Sequence, residues 1–181
     1  MSIAPGTYEV GPHNGELLVN TRRTGAAAKA GHDLVIEVTS WSGTFTHGEH
    51  PGGSSITLHA DGSSLRVREG KGGMQKLDDE DRENIRQTID DEVLRSTSIE
   101  FRSSTVEPGL EEGRMLVRGE LELAGRRRPI QFELALADDG LLFGTATVKQ
   151  SDWGIKPYSG LFGTLKVVDE VEVTGDAKLG G

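Results

Sequence analysis

Five side chains of this sequence could do acid–base or metal chemistry. His47, Glu49 and His50 form the pattern His-x-Glu-His in a loop bounded by glycine and proline. Two imidazoles and a carboxylate are ligands that divalent transition metals accept. His32 and Asp152 are a further imidazole and a further carboxylate, and they come from distant parts of the chain. The sequence therefore leaves open a small-substrate enzyme or a metal-assisted catalyst that uses the His47/His50 or the His32/Asp152 groups.

The other patterns that catalysis needs are missing from the sequence. There is no cysteine and no Gly-x-Ser-x-Gly turn, and no histidine is spaced to meet a serine and an acid. A structural zinc site needs four ligands on a rigid frame, and the His-x-Glu-His spacing matches no helix-borne metal motif. A polar hairpin tip is the alternative for this loop. We therefore expect no catalytic residue, no metal and no cofactor, which favours a binding protein over an enzyme.

The composition excludes several classes of protein. The 181 residues carry a net charge of −9, and without a cysteine they can form no disulfide scaffold. No apolar run is long enough to span a membrane, and the acidic balance makes nucleic acid an unexpected partner. The length predicts a single domain over residues 1–181. Residues 1–10 lack the basic and apolar regions of a secretory signal, so the expected location is cytoplasmic.

Alternation of apolar and polar residues predicts that strands make up most of the chain. The predicted strands lie at residues 7–10, 16–23, 32–46, 54–60, 63–68, 98–106, 115–123, 130–136, 141–148 and 166–178. Glycine is expected to supply the positive φ of tight turns between them. These turns are Asn14-Gly15, Asp61-Gly62, Glu112-Gly113, Ala124-Gly125 and Asp139-Gly140. Short turns between consecutive strands predict an antiparallel meander.

The predicted strand at 32–46 is longer than an ordinary strand. The face that carries its apolar residues changes between Val38 and Trp41. An extra residue in one strand of a pair bends that strand and shifts its alternation. We therefore predict a bulge near Thr39-Ser40, where one long strand turns a barrel corner.

Residues 78–94 carry the only pattern typical of a substantial helix. Ile85, Ile89 and Val93 recur at every fourth position, which places them on one helical face. Asp78 is a suitable N-cap, and the acidic residues that follow it suit the first turn of a helix. We expect this helix to cover one end or side of the barrel.

About ten strand signals and one helix predict an all-β fold, an antiparallel β-barrel of about eight strands. Small residues occupy strand positions where a filled barrel would carry large side chains. They are Gly119, Gly144, Thr145, Ala146 and Thr147. A partly hollow barrel and a flattened sandwich with closely packed faces both explain these positions. The second explanation corresponds to an interaction module with a packed core, and composition alone does not choose between them.

Several ordered motifs resemble one known family. Ser151-Asp152-Trp153-Gly154-Ile155 follows a predicted strand, and residues 94–96 with Ile99-Glu100-Phe101-Arg102-Ser103 resemble a helix end and an Ile-x-Phe-x-Ser strand. Trp41-Ser42-Gly43-Thr44-Phe45 and the stretch from Gly119 to Ile130 add a strand and a hairpin in the same order. Together these segments are similar to the signatures of the YceI-like polyisoprenoid-binding family. One difference is Gln150, which stands where that family usually has arginine.

The resemblance implies a lipocalin-like antiparallel barrel with a helix and a long apolar tunnel. It also implies a non-enzymatic protein that binds a polyprenyl or quinone-type lipid as a carrier, store or sensor, and that could form a homodimer. The expected partner is thus an amphiphilic isoprenoid lipid, with no membrane span in the chain.

Apolar residues on the predicted strands and in the loop that follows them are the candidate ligand-binding residues. They are Trp41, Phe45, Phe101, Leu121, Phe132, Phe143, Trp153, Ile155, Tyr158 and Phe162. Ordinary core packing is the alternative for each of them. The loop at residues 158–163 has glycines near both ends, so it could act as a movable lid over the tunnel or simply pack in place.

Overall fold

One large antiparallel sheet and one helix make up most of the fold. The protein is represented here by a computed structural model, which describes residues 3–160 and 165–180. The strands in the described residues are β1 Gly6–Val10, β2 Gly15–Thr21, β3 Arg23–Thr24, β4 Asp33–Val38, β5 Trp41–His47, β6 Ser55–Asp61, β7 Leu65–Lys71, β8 Ser98–Pro108, β9 Arg114–Leu123, β10 Arg126–Leu136, β11 Leu141–Lys149, β12 Ser159–Gly160, β13 Leu165–Val167 and β14 Glu170–Lys178.

The large sheet contains eleven of these strands and curls on itself. Its order is β1-β5-β6-β8-β9-β10-β11-β14-β2-β4-β7, and every pairing is antiparallel. The chain itself connects the strands near one edge of this sheet to those near the other edge. Strand β4 continues into β5, and β6 continues into β7. Strand β4 pairs with β7 while β5 pairs with β6, so two long bent strands run side by side. The fold is therefore the expected lipocalin-like antiparallel barrel.

The strand count is higher than the predicted number of about eight, because long strands bend and are interrupted. Residues Thr39 and Ser40 separate β4 from β5, and the backbone N–H of Thr39 donates to the carbonyl of Ser64 at 3.0 Å. The bend lies at the predicted position. The register shift lies earlier, between Val35 and Ile36 in the pairing with β7. The predicted strand at 166–178 is also interrupted, since β13 joins a separate small sheet with β12 and β3.

The helix begins where the sequence predicts. Helix α1 spans Asp79–Thr88 and continues as a π-helical turn over Ile89–Leu94. Asp78 is its N-cap, and its carboxylate accepts a hydrogen bond from the backbone N–H of Asp81 at 2.7 Å. The carboxylate of Asp81 accepts one in return from the N–H of Asp78 at 3.1 Å, which completes a capping box. Arg95 ends the helix in the left-handed conformation, with φ of 53°.

The tight turns differ in the reason that they contain glycine. Between β9 and β10, Ala124 and Gly125 have φ of 50° and 76°, as a two-residue hairpin with positive φ at both central positions requires. The prediction of positive φ is wrong at Gly15 and Gly62. A side chain at Gly15 would collide with the carbonyl of Asp176, and one at Gly62 with that of Thr97. Close approach of two backbones therefore explains glycine at these two positions.

The two ends of the barrel differ in their connections. At one end, β2, β7 and β11 finish while β4 and β14 begin, as the pairings Thr21–Leu34 and Lys149–Glu170 show. We call this the mouth end. The opposite end carries the turns at residues 109–113 and 137–140. Within the described ranges, no helix is long and apolar enough to cross a membrane.

Candidate functional site: an apolar cavity inside the barrel

A cavity of about 850 Å³ occupies the interior of the barrel and opens at the mouth end. This volume lies in the upper part of the range for sites that bind small molecules. Inward-facing apolar side chains of the large sheet form most of its wall. They are Leu17, Val19, Leu34, Ile36, Leu58, Phe101, Leu121, Phe132, Leu134, Leu142, Val148, Val171 and Val173.

Helix α1 and its π-helical turn form part of the cavity wall. Ile85, Ile89 and Val93, the face that the sequence predicts to be apolar, all line the cavity. Ile89 and Val93 also pack against the buried core. Arg82 attaches the helix to β7 by donating hydrogen bonds to the carbonyls of Val67 and Arg68 at 3.3 and 3.2 Å. The helix thus takes the place of a neighbouring strand along β7.

Small residues leave room for the cavity on β11. Gly144, Thr145 and Ala146 all line it, as a partly hollow barrel predicts. Gly119 has a different role, because a side chain there would collide with the carbonyl of Arg102 and the ring of Phe101. Thr147 is exposed on the outer face. Close packing therefore explains Gly119, whereas the small residues of β11 contribute to the open interior.

Few polar groups line the interior. Gln150, which is only 8% exposed, donates a hydrogen bond from its amide to the carbonyl of Val168 at 3.3 Å. The carboxylate of Asp176 accepts a hydrogen bond from the backbone N–H of Glu16 at 3.3 Å. Both polar side chains thus have a partner in the protein, and the wall between them is mainly hydrocarbon.

The mouth of the cavity has a different composition from its interior. Arg23, His32, Lys76 and Lys166 line it together with Tyr158. The guanidinium of Arg23 donates to the carbonyl of Lys71 at 2.7 Å, and Nε2 of His32 lies 2.6 Å from the carbonyl oxygen of Gln75. Asp81 of helix α1 also lines this region, so the opening carries more cationic than acidic side chains and leads directly into an apolar chamber.

Six of the candidate ligand-binding residues line this cavity. They are Trp41, Phe101, Leu121, Phe132, Ile155 and Tyr158. The rings of Phe101 and Phe132 meet edge to face, with their centroids 5.2 Å apart. Leu121 and Phe101 also pair across β8 and β9, so these aromatic and apolar groups form a continuous surface. Their contact with a ligand stays a prediction.

Three further candidates lie away from the cavity wall. Phe45 is 1% exposed and packs in the core. Trp153 is buried, and its indole N–H donates to the carbonyl of Leu121 at 2.9 Å. Phe143 is 44% exposed on the outer face of β11, because its neighbours Leu142 and Gly144 take the inward positions. Phe162 lies outside the described residues, as does part of the predicted lid at 158–163.

Sequence reasoning missed most of the aliphatic wall. Leu17, Val19 and Leu34 line the cavity but were not among the candidates. Their alternation marks an inward face, and this pattern is the same for a packed core and for a cavity. The helical periodicity of Ile85 and Ile89 could have identified them as lining residues, because their apolar face was expected to cover one end or side of the barrel.

The residues singled out for metal or acid–base chemistry are not assembled into a site. Among residues 3–160 and 165–180, no group of three or more histidine and carboxylate side chains could hold a metal ion. His47 stacks near Phe45, and its Nδ1 is buried without a hydrogen-bond partner. Asp152 is exposed, and no hydrogen bond or ion pair in the described part of the chain joins it to His32.

Ion pairs shift several pKa values on the outer surface. Hydrogen bonds from Arg68 lower the pKa of Glu16, and those from Arg86 lower the pKa of Glu83. Lys178 lowers the pKa of Asp139 in the same way at the end opposite the mouth. These lowered pKa values reflect ion pairs that stabilise the charged carboxylates at the surface. None of these three pairs has the arrangement of a catalytic acid and base.

The sequence comparisons give one match and one absence. The family model of the YceI-like domain matches residues 8–179. None of the curated proteins matches the chain.

Solved structures share the fold at low sequence identity. BcnA from Burkholderia cenocepacia has a TM-score of 0.67 at 13% identity, with 90% of this chain and 94% of that chain covered. A polyisoprenoid-binding domain from Saccharophagus degradans, described as implicated in plant cell wall breakdown, has a TM-score of 0.53 at 13% identity, covering 96% and 97%. A mutant YceI protein from Campylobacter jejuni with a monobromobimane guest has a TM-score of 0.50 at 14% identity, covering 79% and 84%.

Proposed function

Because the chain belongs to the YceI-like domain family, we propose that it binds a long isoprenoid lipid of the polyprenyl or quinone type in its internal cavity. The binding is non-catalytic, and the protein serves as a carrier, store or sensor of the lipid. The observation that carries this proposal is the apolar cavity of about 850 Å³ that opens at one end of the barrel. The Saccharophagus degradans domain, whose description names polyisoprenoid binding, supports the choice of ligand class.

The size and the apolar wall of the cavity favour an apolar occupant. Residual voids in protein cores cost about 24 cal/mol per Å³. At about 850 Å³ this cavity is far larger than the voids that packed cores retain, and it opens at the mouth end, so an occupant can enter it. Water is a poor filling, because a buried water needs two to four polar partners and the wall offers few. A flexible hydrocarbon chain suits such a wall better.

The energetics of apolar burial agree with an isoprenoid of several units. Each buried methylene-sized group contributes about 0.8 kcal/mol. Micromolar affinity corresponds to about 8 kcal/mol, and association also has an entropic cost of several kcal/mol. Several isoprene units therefore suffice for tight binding without specific polar contacts. The head group can stay at the mouth, where Arg23 and Tyr158 line the opening.

Lipid extraction and a narrowed cavity test the proposal. We expect organic solvent to release an isoprenoid from the purified protein, detectable by mass spectrometry, and the stripped protein to bind added polyprenyl lipid saturably. Ala146 lines the cavity, so the larger ring of Ala146→Phe should narrow it and reduce the amount of lipid retained. The neighbouring Thr147 is exposed, and Thr147→Phe is the matched control that should retain the lipid.

Two results would contradict the proposal. One is a stripped protein that shows no saturable binding of any polyprenyl lipid. The other is equal binding by the Ala146 and Thr147 variants, since only the inward ring at position 146 should hinder a ligand in the cavity. Circular dichroism of both variants checks that the barrel still forms.

A further inference from the structure

Three separate segments of the chain carry cationic residues and no acidic ones. Residues 22–32, 70–77 and 155–168 contain seven of the 20 Lys and Arg residues and none of the 29 Asp and Glu residues. The rest of the chain therefore carries a net charge of −16, against −9 for the whole. The seven cations are Arg22, Arg23, Lys29, Lys71, Lys76, Lys156 and Lys166.

Contacts in the structure bring the three segments together at the mouth of the cavity. Arg23 donates to the carbonyl of Lys71 at 2.7 Å, which joins the first segment to the second. The backbone N–H of Val168 donates to the carbonyl of Arg22 at 2.8 Å, which joins the first to the third. Lys76 and Lys166 are both exposed, and both line the opening. We call the surface formed by residues 22–32, 70–77, 155–160 and 165–168 the cationic rim.

Apolar side chains stand exposed within the cationic rim. Met74 is 80% exposed and Tyr158 is 45% exposed, and both line the mouth of the cavity. Leaving such groups in water is unfavourable, whereas exposed apolar residues beside a site commonly mark a surface that binds a partner. Basic residues combined with apolar anchors are the features that hold a protein at an anionic lipid surface.

The charges elsewhere on the molecule favour one orientation. The opposite end carries Glu107 near the end of β8 and Glu111, Glu112, Asp138 and Asp139 in its turns. Three of these five carboxylates form ion pairs, with Arg118, Arg114 and Lys178. The first turn of α1 borders the mouth on one side with acidic residues, so the cationic rim is an arc and not a complete ring. An anionic surface would attract the arc and repel the opposite end, which directs the opening toward that surface.

We propose that the cationic rim docks on a bilayer containing anionic lipids, with the cavity opening facing the membrane. An acidic protein could also attract the cations. The exposed Met74 and Tyr158 beside an apolar chamber favour a bilayer, because an apolar residue gains from entering the interfacial region of lipids. Docking of this kind goes beyond ligand binding and does not depend on which molecule occupies the cavity.

Vesicle co-sedimentation tests this docking. The protein is mixed with vesicles of phosphatidylcholine alone or with about one-third phosphatidylglycerol, at low and high salt. We expect binding to the anionic vesicles only, weakened by salt. Each basic residue near an anionic surface contributes about 1 kcal/mol, so the double variant Lys76→Gln/Lys166→Gln should bind about 25-fold more weakly.

Matched variants distinguish the rim from net charge and general hydrophobicity. Arg102→Gln/Lys178→Gln removes the same two charges away from the mouth and should change the affinity by less than about 2-fold. Met74→Ser should weaken binding, whereas Leu110→Ser, at a fully exposed leucine in the turn opposite the mouth, should not. Lipid extraction on the same samples reports ligand binding separately.

Equal binding to neutral and anionic vesicles would overturn the proposal. So would equal losses in the rim and control variants, or no binding to either vesicle. Binding to soluble polyglutamate without binding to anionic vesicles would assign the rim to an acidic protein and would also overturn it.

Discussion

At the scale of single residues, the two tryptophans have different roles despite similar burial. Trp41 is 9% exposed and lines the cavity, whereas Trp153 is 4% exposed and lies behind its wall. The indole of Trp153 hydrogen bonds to the carbonyl of Leu121, a residue that does line the cavity. Trp153 therefore supports the wall, whereas a ligand in the cavity should contact Trp41 and change its fluorescence.

Substitution of each tryptophan should separate these roles. Trp153→Phe removes a buried hydrogen bond and some packing volume, so we expect urea unfolding to show a loss of about 1–3 kcal/mol. This variant should keep a fluorescence response to added polyprenyl lipid, because Trp41 remains. Trp41→Phe should lose most of the response. A full response from the Trp41 variant would show that the ligand does not reach the wall at this residue.

At the scale of elements, helix α1 has both a structural and a functional role. Its capping box satisfies backbone N–H groups at the N-terminus, and its apolar face lines the cavity. The sequence predicted both features, because N-cap chemistry and helical periodicity are local properties. The π-helical turn at Ile89–Leu94 was not predicted, since its hydrogen bonding depends on how the chain returns to β8.

Loss of the N-cap should destabilise helix α1 and therefore the part of the cavity wall that it forms. Asp78→Ala removes the acceptor for the Asp81 N–H, and we expect urea unfolding to show a cost of about 1 kcal/mol. Amide hydrogens of α1 should also exchange faster with solvent. Asp79→Ala is the matched control, because Asp79 lies in the first turn but is not the N-cap. Equal effects of the two substitutions would contradict a specific role for the capping box.

The strands show where local patterns stop being informative. Alternation predicted β9 to within one residue, but it placed the start of β10 at Ile130 and not at Arg126, because Arg126, Arg127 and Arg128 show no apolar alternation. The bend at Thr39-Ser40 also had a sequence signal in the change of parity. The division at Val168–Asp169 had none, because the separation of β13 from β14 depends on β3, which lies far away in the sequence.

At the scale of the whole molecule, ligand binding and folding are coupled through the cavity. A ligand that binds only the folded barrel stabilises it, by about 2.7 kcal/mol at one hundred times its Kd. We therefore expect polyprenyl lipid to raise the thermal unfolding midpoint of the stripped protein. The Ala146→Phe variant should show a smaller rise, and differential scanning calorimetry measures both. An equal rise in that variant would argue for binding at the outer surface.

The sequence by itself determined the class of fold, the helix and the family resemblance. These follow from periodicity and from short motifs, which residues close together in the chain carry. It also narrowed the ligand-binding candidates to apolar positions. It could not separate Phe132, which lines the cavity, from Phe143, which is exposed on the outer face.

Only the tertiary structure decided which inward residues pack and which surround open space. The same alternation describes both, and the difference depends on the curvature of the whole sheet and the position of α1. The tertiary structure also gathered residues 22–32, 70–77, 155–160 and 165–168 around the mouth. Their cationic side chains form one surface only in the folded protein, because hydrogen bonds such as that from Arg23 to Lys71 bring distant parts of the chain together.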